Sequence, residues 1–190
     1  MQARMRPTAT EISALKDSHF PVAESLPLCY NLHCEVQSIM RVYLDNCCYN
    51  RPFDDLSQDR VYLEAEAVMT VISHCERGDW TLVTSGVIEY EASQISDLGK
   101  LEKVRELCAV ADERAMLTDE AVIRAAHFKQ KGLSDFDSLH LAVAAANLVD
   151  VFLSTDDKLL RAASRLELKM KVINPMIWLM EVLNNEQYRD

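Results

Sequence analysis

From residue 40 onward the chain alternates two kinds of pattern. Short runs of continuous apolar or β-branched residues fall at 41–45, 80–84, 115–117, 151–154 and 169–173. A run without polar alternation predicts a strand buried on both faces, as in a parallel sheet. Between these runs apolar residues recur every three or four positions, which predicts helices. A long helix over 58–77 carries Val61, Ala65, Val68 and Ile72 on one face, and one over 98–110 carries Leu101, Val104, Leu107 and Cys108. Further helices are expected over 86–95, 119–131, 135–148, 156–165 and 175–183. The helix over 135–148 is the most apolar and so the most deeply buried.

The punctuation agrees with the periods. Ser57, Ser85, Thr118 and Ser134 each stand where a hydroxyl can accept from the free N–H groups of a first helical turn. Gly78 and Gly132 stand where helices should stop, and Pro175 suits a first helical position. Pro52 disfavours helix at the residue before it, so 51–55 reads as a loop. Strands separated by helices imply right-handed crossovers, and therefore an α/β fold with a parallel sheet of about five strands and helices on both faces.

Residues 1–39 hold Pro7, Pro21 and Pro27 and sustain neither period, so they read as a poorly ordered extension, with Met40 as an alternative start. One domain is expected over 40–184, followed by a tail over 185–190. A chain of 190 residues suits one sizeable core better than two. No apolar run approaches the roughly 18 residues of a membrane span. Six scattered cysteines, without an export signal, read as reduced thiols of a cytoplasmic protein. Cys29, His33 and Cys34 have no matching second pair for zinc. The net charge of −10 argues against holding nucleic acid by charge alone.

Four carboxylates stand out by position. Asp45 ends the first strand, Glu91 lies in the helix after the second, Asp137 opens the helix over 135–148, and Asp156 follows the fourth strand. Each has an ordinary explanation: an Asx turn, a solvated helix face, a capping box with Ser134, and an N-cap. Glu89 competes with Glu91, but residues two apart do not share a helix face. Together they carry more, because the topology brings strand ends and following helices to one edge, where α/β folds place their ligands. Crowded carboxylates repel one another unless a cation neutralises them. Oxygen donors suit Mg²⁺ or Mn²⁺.

Val42-Tyr43-Leu44-Asp45-Asn46, Ser85 with Glu91 six residues on, Asp137-Ser138-Leu139-His140-Leu141-Ala142 and Phe152-Leu153-Ser154-Thr155-Asp156-Asp157 follow one another in this order. In order and spacing they resemble the PIN domain, over about residues 40–178. The resemblance implies a three-layer sandwich and a Mg²⁺- or Mn²⁺-dependent endoribonuclease, as in VapC-type toxins. It implies that Asp45, Glu91, Asp137 and Asp156 form the acidic, metal-binding quartet. RNA as substrate, a cognate antitoxin and a homodimer are implied in the same way. The family usually has Thr or Ser, then Asn or a small polar residue, after the first Asp; here Asn46 and Cys47 follow.

Around the quartet, Asn46, Ser85 and Thr155 are candidates to orient carboxylates, and His140 to orient Asp137 or to meet substrate. Arg51 and Lys158, the latter on one helix face with Arg161 and Arg165, are candidates for a substrate phosphate. A phosphatase of the haloacid-dehalogenase type needs a second Asp where Cys47 stands, and a receiver domain needs an acceptor Asp that no middle strand supplies. The alternative that stays open is a catalytically weak or inactive PIN-like module that binds RNA or a partner protein.

Overall fold

The computed structural model describes residues 39–187. The expected N-terminal extension, with Cys29, His33 and Cys34, lies outside the described residues apart from residue 39. Five strands form one sheet: β1 (Arg41–Leu44), β2 (Thr81–Ser85), β3 (Glu113–Ala115), β4 (Val151–Leu153) and β5 (Lys171–Ile173). Their order across the sheet is β3-β2-β1-β4-β5, with every neighbouring pair parallel. Val42, Tyr43 and Leu44 of the central strand are fully buried, as a strand covered on both faces requires.

Between β1 and β2 come α1 (Asn46–Asn50), a 3-10 turn (Arg51–Phe53) and α2 (Asp59–Glu76). Helices α3 (Gly86–Ser93) and α4 (Leu98–Cys108) join β2 to β3. Helices α5 (Asp119–Gln130) and α6 (Asp135–Ala146) lead to β4, α7 (Asp157–Ala163) leads to β5, and α8 (Pro175–Gln187) closes the fold. The chain steps from β1 to β3 in one direction, then crosses back to β4 and β5. Right-handed crossovers therefore set α1 to α4 on one face and α5 to α7 on the other. Helix α8 returns to pack along α2, while α5 and α6 pack on each other. This is the α/β sandwich expected from the sequence.

Ser85, Thr118 and Ser134 cap α3, α5 and α6 as expected, each accepting from a backbone N–H three residues on. Ser57 does not cap α2; Gln58 precedes that helix without a side-chain bond, and the Ser57 N–H donates to Asp55 Oδ1 at 3.1 Å. Part of the expected loop is a 3-10 turn, because Pro52 sits at its start, where a missing N–H costs nothing. Helix α1 was not expected. It is too short to show a period, and it forms because Asp45 Oδ1 accepts from the Asn46 N–H at 2.8 Å. After α6, Leu148 takes φ +56° with its side chain exposed, and its carbonyl accepts from Arg41 Nη1 at 2.9 Å.

Beside α1, Glu64 of α2 is buried to 1% exposure. Its carboxylate accepts from Arg60 Nε at 2.8 Å and from Asn174 Nδ2 at 2.8 Å, and lies 3.0 Å from Arg51 Nε. Arg60 also forks onto Asp157 at 2.8 and 2.7 Å, which holds the Asp157 carboxyl below the usual carboxylate range. This network ties α2 to the starts of α7 and α8.

Candidate metal centre

Asp45, Ser85 and Ser154 stand at the C-terminal ends of β1, β2 and β4, so the parallel sheet presents them at one edge. Asp45 is buried, and each of its oxygens is held. Oδ1 accepts from the Asn46 N–H, while Oδ2 accepts from Ser154 Oγ at 2.7 Å and from the Cys47 thiol at 3.0 Å. Burial pushes the Asp45 carboxyl above the usual carboxylate range; His140 and the bonds from Cys47 and Ser154 oppose that shift.

Helices α3 and α6 bring in Glu91 and His140. His140, 1% exposed, lies with Nε2 at 2.6 Å from Glu91 Oε2 and 4.0 Å from Asp45 Oδ1. His140 Nδ1 faces the Tyr43 hydroxyl at 2.8 Å, and that hydroxyl faces Ser85 Oγ at 2.6 Å. A chain of polar groups thus runs from the cap of α3 through the central strand to Glu91. Burial pushes the Tyr43 hydroxyl well above its ordinary value, so it stays protonated and serves as a fixed link.

One ligand atom from each of Asp45, Glu91 and His140 falls within 4.8 Å of the others. Two carboxylates and an imidazole can hold a divalent cation, and a buried acid with a half-buried one gains from a neutralising charge.

Of the four acids expected from the sequence, the structure brings Asp45 and Glu91 together. Asp137 and Asp156 fall outside that group of three. Asp137 stands one turn before His140 on α6, half-buried. Its N–H donates to Ser134 Oγ at 3.2 Å, but its carboxylate makes no hydrogen bond or ion pair among the described residues, so the return bond of a capping box is not made. Asp156 caps α7, with Oδ1 accepting from the N–H groups of Lys158 at 2.6 Å and Leu159 at 3.3 Å. Its own N–H donates to Ser154 Oγ at 3.1 Å, which links it to Asp45 through one hydroxyl. Glu89 points elsewhere and pairs with Arg114 at 2.8 Å.

The remaining candidates divide. Ser85 holds Tyr43, and His140 bonds Glu91 rather than Asp137. Asn46 contributes its backbone N–H to Asp45. Thr155 is buried, with its hydroxyl unpartnered and its N–H on Cys47 Sγ at 3.2 Å. Lys158 is exposed and makes no ion pair among the described residues. Arg51 is committed to Asp54 and Glu64. Sequence reasoning missed Tyr43 and Ser154 as parts of the centre, whereas it singles out Cys47 beside Asp45. The Cys47 thiol bonds the Asp45 carboxylate directly. The four described cysteines are all free, and burial pushes the thiols of Cys75 and Cys108 up to about 12.

Among the described residues no helix is long and apolar enough to cross a membrane. No family model and no curated protein sequence matches the chain. Among solved structures, the chain is similar to VapBC2 from Rickettsia felis, a structure bound to a DNA fragment from the promoter. The identity is 14% and the TM-score 0.47, covering 71% of this chain and 98% of that one. It is also similar to PAE2754 from Pyrobaculum aerophilum at 15% identity and a TM-score of 0.46, covering 81% of this chain and 97% of that one.

Proposed function

We propose that the chain is a divalent-metal-dependent nuclease that hydrolyses RNA phosphodiester bonds at the sheet edge occupied by Asp45, Glu91 and His140. The observation that carries this reading is the convergence of those three side chains, within 4.8 Å, from β1, α3 and α6. Asp45 and Glu91 are the carboxylates that hold Mg²⁺ or Mn²⁺. His140 fixes Glu91, and Tyr43 and Ser85 fix His140. Ser154 and Cys47 keep Asp45 Oδ2 in place. Asp137, whose carboxylate is uncommitted, and Asp156, with the oxygen its cap leaves free, complete the acidic quartet. A divalent cation held there supplies positive charge against the phosphate oxygens as the phosphodiester is cleaved.

The resemblance in sequence supports the finer reading: a toxin-type ribonuclease of the cytoplasm, paired with a cognate antitoxin and acting as a homodimer. The test compares wild type with Asp45→Asn. Wild type should cleave single-stranded RNA when Mn²⁺ is added, and the variant should not. Calorimetric titration should show Mn²⁺ binding that the variant loses. Equal cleavage by both would mean that the activity arises elsewhere. If neither cleaves RNA, the binding-module reading takes its place.

A further inference from the structure

Helix α6 meets α3 twice along one seam. Phe136 and His140 are four residues apart and share a face of α6, and they meet consecutive residues of α3. His140 bonds Glu91 inside, at 2.6 Å. One turn outward, Phe136 stacks on Tyr90 with ring centroids 5.9 Å apart and an interplanar angle of 21°. The inner layer is polar and buried, whereas the outer layer is aromatic and open, with Tyr90 57% and Phe136 37% exposed. The Tyr90 hydroxyl makes no hydrogen bond among the described residues. Two aromatic rings therefore form a lip one helical turn from His140 and adjacent to Glu91 in the chain.

Two of the acids near the lip are paired with cations. Glu89 pairs with Arg114 at 2.8 Å, and Asp135 pairs with Lys129. Asp137, next to Phe136, has no ion-pair partner among the described residues, so a strand crossing this rim is met by a π surface and not by a cation. Every nucleobase has a face that such a surface can take, provided the base is not already stacked in a duplex.

We propose that Tyr90 and Phe136 stack on an unpaired base of the nucleic-acid strand whose phosphate lies at the acidic centre, making them specificity-determining residues for single-stranded RNA. The proposal rests on the nuclease reading above. It gives the lip a role in binding that is separate from cleavage, and binding can be measured with the metal removed.

The experiment is fluorescence anisotropy of a labelled single-stranded RNA oligonucleotide in EDTA, with circular dichroism to check that each variant is folded. Tyr90→Ala and Phe136→Ala should each weaken binding by about 5- to 150-fold, the range expected for loss of one base–aromatic stack. The slope of affinity against salt should stay the same, because stacking releases no counterions. Tyr90→Trp should bind at least as tightly as wild type. An oligonucleotide lacking the stacked base should bind wild type and Tyr90→Ala equally. The proposal is overturned if wild type does not bind the RNA, if the alanine variants bind as wild type does, or if their loss comes with a changed salt slope. It is also overturned if Tyr90→Ala leaves RNA affinity intact and turns a dimer into a monomer, which would make the lip a protein interface. Failure of the nuclease reading is seen separately, as cleavage that is absent or indifferent to Asp45→Asn.

Discussion

Ser154 and Asp45 are separated by 109 positions in sequence, yet the hydroxyl of one donates to the carboxylate of the other at 2.7 Å. The bond crosses from the end of β4 to the end of β1, and the same hydroxyl accepts the Asp156 N–H. Ser154→Ala removes a charge-assisted bond from a buried acceptor. It should lower the unfolding free energy by about 1.5–3 kcal/mol. Urea denaturation of the two proteins in EDTA measures this; an unchanged midpoint would mean that Cys47 alone satisfies Asp45 Oδ2.

Burial raises the Asp45 carboxyl above the value it has in the unfolded chain. Its favourable contribution to stability is then complete below the unfolded value and is lost as pH rises through the folded one. Above the unfolded value, as at neutral pH, the buried carboxyl therefore weakens the metal-free fold. Asp45→Asn should therefore melt higher than wild type at pH 7 in EDTA, and the gap should close as the pH falls into the carboxylate range. Excess Mn²⁺ should reverse the order by raising the melting temperature of wild type alone.

Glu64 is surrounded by Arg51, Arg60 and Asn174 and is almost without solvent. Truncating one partner of a buried ion pair leaves the others uncompensated, at about 3–5 kcal/mol. Glu64→Ala should lose stability on this scale in chemical denaturation. Arg60→Ala should lose much less, because Arg60 is 56% exposed.

Leu148 occupies the left-handed region, φ +56°, with its side chain in solvent. A side chain with a Cβ pays about 1–2 kcal/mol there, and Gly does not. Leu148→Gly should raise the melting temperature by about 2–8 °C. A fall instead would show that Leu148 contributes contacts outweighing the strain.

Much of this architecture is legible along the chain because it is local. The hydroxyls of Ser85, Thr118 and Ser134, the stop at Gly132 and the continuous apolar runs each act within a few residues. Asp45 and Glu91 were legible through topology, since a parallel sheet sends successive strand ends to one edge. What the chain conceals is which side chains face one another there. His140 shares its helix with Asp137 and reads as its partner, but the crossing of α6 and α3 turns it to Glu91. Tyr43 reads as core, and nothing local marks its hydroxyl as the link between Ser85 and His140. Cys47 and Ser154 acquire their roles from strands more than 100 positions apart. Asp156 shows the converse: the cap that the sequence suggests is formed, and it occupies one carboxylate oxygen.

The strand that ends at Asp45 lies in the middle of five, while β3 and β5 at the margins are three residues each. Fraying from either margin can proceed without disturbing this carboxylate, and amide exchange should find β1 among the last segments to open. On warming, the capacity to hold an ion should therefore disappear together with the cooperative melt and not before it.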